Sequence, residues 1–91
     1  MEKPVLKSTQ FSVLHAKLST GHLLKTDKTM YLTSDVNAKV YLIFESKRNA
    51  LSYMENAINV DKEIECTLWD YEYKHLITLD KDGERKYSEK S

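Results

Sequence analysis

The chain is short of several things, and each shortage removes a class of protein. It has a single cysteine, Cys66. No internal disulfide can form, and a reducing compartment is the expected setting. It has two glycines, Gly21 and Gly83, too few for a glycine-rich phosphate cradle. It has no surplus of either charge, with 14 Lys and Arg against 14 Asp and Glu. Nucleic-acid binders draw on a basic excess to displace counterions from phosphates, so that class starts at a disadvantage. The longest apolar run is Val40-Tyr41-Leu42-Ile43-Phe44, far below the ~20 residues of a membrane-spanning helix. The start, MEKPVLKSTQFSVLHAKL, has neither a continuous apolar stretch nor a small-residue cleavage site.

What remains is a chain of 91 residues in which aliphatic and aromatic side chains recur among charges of both signs. Disorder requires low hydrophobicity with high net charge, so this chain is expected to fold. At this length it makes one domain, burying roughly 60–65% of its unfolded surface. The expectation is a single cytoplasmic domain over 1–91, with frayed ends at about 1–7 and 89–91 and no membrane segment.

The strongest local pattern lies in the middle. Ser46 is a good N-cap, since its hydroxyl can accept from an otherwise unpaired N–H. Ala50, Leu51, Met54, Ala57 and Ile58 then recur at helical spacing. An amphipathic helix is predicted over 47–59. Ile64, Cys66 and Leu68 alternate with Glu65, Thr67 and Trp69 as in a strand, and a second strand is predicted over His75–Asp80. Asp82-Gly83 reads as a two-residue type I′ turn, returning a last strand over Arg85–Ser88. Towards the N-terminus, Thr29–Thr33 and Lys39–Phe44 read as strands joined across SDVNA. Ser8–Leu18 fits either a helix ending at Gly21 or a strand; its β-branched and aromatic content favours the strand. The fold class is α+β, a mostly antiparallel sheet of about five strands with one main helix packed on one face.

A hairpin loop at Tyr71–Lys74 would set Cys66 opposite Leu79, Thr67 opposite Thr78, Leu68 opposite Ile77, Trp69 opposite Leu76 and Asp70 opposite His75. In that register Ile64, Cys66, Leu68, Ile77 and Leu79 face the helix. The other face then carries Trp69 and Leu76. Tyr87 comes beside Thr78, and Tyr41 and Ile43 join if Leu42 and Phe44 point at the helix. A one-sided sheet shows polar residues there. Five large apolar or aromatic side chains call for a cover: the N-terminal segment if helical, a second copy of the chain, or another macromolecule. Tyr41, Ile43, Trp69, Leu76 and Tyr87 are therefore candidate partner-binding residues.

Chemistry finds little support. Cys66 falls mid-strand on the core face, where a thiol behaves as a small hydrophobe. His75 beside Asp70 is the one His–carboxylate pair in reach. It could orient a general base, but it more commonly serves as a cross-strand polar pair. His15, His22, His75 and Cys66 lack the paired spacings of zinc sites, and Asp80–Glu84 lacks most of a calcium loop. No cofactor or metal is implied. Lys47 and Arg48 stand in the first helical turn, where the macrodipole disfavours cations by roughly 0.3–1 kcal/mol each. With Ser46 they form a candidate anion site. The leading expectation is a small non-enzymatic interaction domain, either homodimeric or capping a protein partner in the manner of an inhibitor or immunity protein. A single-stranded nucleic-acid binder stacking bases on the aromatic face and a small enzyme using His75 and Asp70 are the alternatives.

Overall fold

A computed structural model describes residues 4–32 and 39–85. The elements run β1 (Phe11–Lys17), β2 (Leu23–Leu24), β3 (Leu42–Phe44), α1 (Lys47–Val60), β4 (Ile64–Trp69), β5 (His75–Asp80) and β6 (Gly83–Arg85). Five strands form one antiparallel sheet in the order β2-β1-β4-β5-β6, and β3 pairs with β1 beside β2. The helix packs on one face of this sheet, which is the α+β architecture its periodicities predict.

The ambiguous segment is a strand. Val13 lies opposite Leu68, and His15 opposite Cys66, so the apolar positions of β1 join those of β4. Gly21, at φ +74°, supplies the turn after it rather than a helix stop. The expected strand over Thr29–Thr33 gives way to turn chemistry. Asp27 Oδ1 accepts from the Thr29 N–H at 3.0 Å and its hydroxyl at 2.6 Å, and Lys28 takes φ +71°. A short aspartate side chain satisfying the local backbone in this way competes with a ladder. Among the described residues of that stretch, only Met30 forms a ladder bridge, to Leu24 in the unforeseen strand β2. Thr33 and the SDVNA connection lie outside the described residues.

The helix starts as its sequence requires, with Ser46 Oγ accepting from the Asn49 N–H at 3.1 Å. It buries Ala50, Met54, Ala57 and Ile58. These meet Val13, Leu24, Ile64, Cys66 and Leu68, with Phe11, Leu42, Phe44, Leu76, Ile77 and Leu79 packed around them.

Two registers depart from the sequence reading. Cys66, Thr67 and Leu68 find Leu79, Thr78 and Ile77 as predicted, but the ladder then shifts and Trp69 pairs with His75. The extra residue is Leu76, which packs against the core instead of standing opposite Trp69. A bulge of this kind re-aims side chains by breaking the strict alternation of a strand. At the far end, Asp80 Oδ1 accepts from the Asp82 N–H at 2.8 Å and Asp80 pairs with Gly83. The turn therefore holds Lys81 and Asp82, neither at positive φ, while Gly83 takes φ +111° as the first residue of β6. This brings Arg85, not Tyr87, opposite Thr78. Residues 86–91, with Tyr87 and the remainder of the expected last strand, lie outside the described residues.

Candidate interaction face

The face turned away from the helix is built from the alternate positions of the same strands. Ser12 of β1 lies opposite Trp69 of β4, and Leu14 opposite Thr67. Leu14, Trp69, Tyr41 from the approach to β3 and Tyr73 from the β4–β5 loop surround an apolar crevice of about 100 Å³. Tyr41 and Tyr73 meet edge to face at 5.9 Å between ring centres, and Trp69 meets His75 in the same way at 5.5 Å. Such contacts suit the ring quadrupoles and stiffen the walls. His75 Nε2 is 2.8 Å from Thr78 Oγ1, which in turn lies 3.2 Å from Thr67 Oγ1. A short polar row thus runs beside the aromatic one.

Tyr73 is placed there by its loop. Asp70 Oδ1 accepts from the N–H groups of Glu72 and Lys74, at 2.8 and 2.9 Å, and the Asp70 carbonyl accepts from the Tyr73 N–H at 2.9 Å. So braced, Tyr73 adopts φ +62°, a conformation that costs a bulky residue energy and draws attention to what its side chain does. Its hydroxyl donates to the Pro4 carbonyl at 2.6 Å. Burial pushes the Tyr41 and Tyr73 phenols above their usual range, the neighbouring Tyr41 adding to the rise at Tyr73. Both remain donors throughout the neutral range.

Of the five side chains expected on this face, Tyr41 and Trp69 come together at the crevice. Ile43 is 44% exposed. Leu76 turns to the core, and Tyr87 lies outside the described residues. Leu14 and Tyr73 were not foreseen. Leu14 was detectable, since it alternates with Val13 and His15. The placement of Tyr73 depends on a left-handed loop residue that no periodicity reveals.

Part of this face is closed. Ser12 is 0% exposed, and Ser12 Oγ and Trp69 Nε1 are buried with no hydrogen-bond partner among the described residues. Of the end expected to fray at about 1–7, the described residues 4–7 contribute to this end of the molecule. Leu6 is buried, and the Lys7 N–H reaches Gln10 Oε1 at 2.9 Å.

The expected cross-strand pairing of Asp70 with His75 does not form. Asp70 is occupied in bracing its loop, and the partner of His75 across the ladder is Trp69. Cys66 is fully buried, and burial pushes its thiol up to about 12, against the pull of the Lys28 charge. A second titratable group joins it in the core: His15 Nε2 lies 2.6 Å from Tyr53 Oη. Burial depresses the His15 pKa, so the imidazole is neutral near pH 7. Among the described residues no three His, Cys, Asp or Glu side chains converge as a metal site.

At the helix start, Lys47 and Arg48 are exposed, Ser46 Oγ is engaged by Asn49, and the neighbouring Glu45 carboxylate accepts from Gln10 Nε2. An acid sits beside the two bases, which blunts any pull on an anion. A wider open depression of about 440 Å³ between α1 and the β5–β6 turn mixes Glu55 and Asp80 with Lys62 and Lys81, so no single sign of charge governs it. Among the described residues no helix is long and apolar enough to cross a membrane. No protein-family model matches the chain, and neither the curated proteins nor the solved structures supply a match.

Proposed function

We propose that the chain is a non-catalytic protein-interaction domain, and that its aromatic crevice receives an apolar side chain from a second copy. The observation that carries this reading is the clustering of Leu14, Tyr41, Trp69 and Tyr73 around a cavity on the sheet face opposite the helix. Aromatic side chains on rigid backbone supply large contact area at small entropic cost and dominate binding hot spots. Equal numbers of acidic and basic residues leave little net repulsion between two copies. Isologous pairing, in which one patch meets itself, is the commonest way a small domain associates.

Light scattering over a concentration series tests the proposal. Association should appear in the unaltered protein, and Leu14→Asp should weaken it by about 30-fold, the loss of about 2 kcal/mol typical of a hot-spot residue. Leu14 is only partly buried, so the helical signal in circular dichroism should persist. A protein that stays monomeric at every concentration would exclude the second copy. The crevice would then have to serve a different partner.

A further inference from the structure

The segment Pro4–Leu6 belongs to no strand or helix, yet it is anchored at both ends. Towards the N-terminus the Pro4 carbonyl accepts the Tyr73 hydroxyl. Towards β1 a tight turn follows, in which the Gln10 N–H donates to the Lys7 carbonyl at 2.8 Å and Gln10 Oε1 accepts from the Lys7 N–H. Between these anchors Leu6 is 8% exposed while Val5 is 98% exposed, so one side chain of the segment is inserted and the next is not. Leu6 is buried outside the cluster that packs between helix and sheet. Such a segment, held among the described residues by one aliphatic side chain, the Tyr73 hydroxyl and the Lys7–Gln10 turn, can open without the rest of the fold.

Tyr73 links this segment to the crevice, since its ring forms one wall and its hydroxyl holds Pro4. The strained φ of Tyr73 and the Asp70 brace behind it are spent on that one placement. Nearby, Trp69 Nε1 stays buried with no acceptor among the described residues. A native core satisfies nearly all such donors, and an unmatched one beside an aromatic crevice suits a closed state that an acceptor from the second copy would relieve.

We propose that Pro4–Leu6 is a strap, latched by the Tyr73 hydroxyl, that covers one end of the aromatic crevice and lifts when a second copy of the chain binds there. The proposal rests on reading the crevice as the binding surface, but its test is made on the monomer, at concentrations too low for self-association.

The test uses two readouts on the full chain. Leu6→Cys places a thiol under the strap, and the one natural thiol, Cys66, is a built-in control because burial keeps it protonated and inaccessible. With a soluble disulfide reagent in excess, the introduced thiol should react more slowly than a free thiol but faster than Cys66. Adding Tyr73→Phe, which keeps the ring and removes the latch, should speed that reaction about fivefold, the effect of losing one hydrogen bond, with Cys66 unchanged. In parallel, Tyr73→Phe alone should raise the acrylamide quenching of Trp69, the only tryptophan, by about twofold.

Three outcomes would overturn the strap. Equal rates with and without Tyr73→Phe would mean the hydroxyl latches nothing. Acceleration of Cys66 together with the introduced thiol would make the segment part of the global fold. Faster thiol reaction with unchanged Trp69 quenching would show a segment that moves without uncovering the crevice. Because both readouts are made on the dilute monomer, they separate failure of the strap from failure of self-association.

Discussion

His15 is fully buried on β1, with its Nε2 against the Tyr53 hydroxyl, and its protonation sets how the fold meets acid. Burial depresses its pKa below 6.5, the Lys28 charge adds to the fall, and hydrogen bonding towards the Lys25 backbone opposes it. The folded state therefore takes up this proton less readily than the unfolded chain. As pH falls through 6.5 the unfolded chain is protonated first, and stability drops until the folded-state pKa is reached. The slope is at most about 1.4 kcal/mol per pH unit for one proton. Urea midpoints should accordingly fall between about pH 7.5 and about pH 5.5, and His15→Gln should flatten that fall. If the variant keeps the full slope, the linked proton binds elsewhere. The inward direction of His15 and Cys66 can be read from their alternation with Val13, Ile64 and Leu68. The Tyr53 contact cannot, because it spans 38 residues between strand and helix and leaves no periodic trace.

At the scale of elements, the periodic segments were legible and their joints were not. The helix and β4 follow from spacing alone, because burial against one partner layer imposes a single period on each. Turns answer instead to individual side chains. Asp27, Asp70 and Asp80 each accept a backbone N–H two residues on, and each shapes a joint that strand propensity or a dipeptide signal describes less well. The bulge at Leu76 is of the same kind: it exchanges Leu76 for His75 beside Trp69 and so removes one of the five side chains expected on the interaction face. The Asp70 loop offers the clearest test. Asp70→Ala leaves the Glu72 and Lys74 N–H groups without their acceptor and unbraces the left-handed Tyr73. The expected cost is about 1–2 kcal/mol, read as a lower urea midpoint with unchanged slope. Loss of the Tyr73 placement should also appear as a changed near-ultraviolet circular dichroism. A variant as stable as the parent, with the same aromatic signal, would show that packing of the Tyr73 ring against Tyr41 holds the loop without the carboxylate.

For the molecule as a whole, the two faces of one sheet have been given different work. One is filled by the helix and closed. The other carries an aromatic crevice, a polar row of Thr67, Thr78 and His75, and a short N-terminal segment at its rim. The sequence made that second face visible through apolar residues at positions a one-sided sheet would leave polar. The insertion of Leu6 was less legible, because it is a single buried side chain with no pattern around it. Charge separates the readings that remain for this face. Fourteen cations against fourteen anions, with an acid beside Lys47 and Arg48, leave no obvious track for a phosphate backbone. Apolar contact through Leu14 and Trp69, by contrast, releases no condensed counterions. The self-association constant should therefore change by less than about threefold between about 50 mM and about 200 mM salt, and binding to single-stranded DNA should be negligible throughout. Over the same range, a protein neutralising six to ten phosphates loses about a thousandfold or more in affinity. Binding to single strands that falls steeply with salt and is lost in Trp69→Ala would move the aromatic face from protein recognition to base stacking, with Trp69 still at its centre.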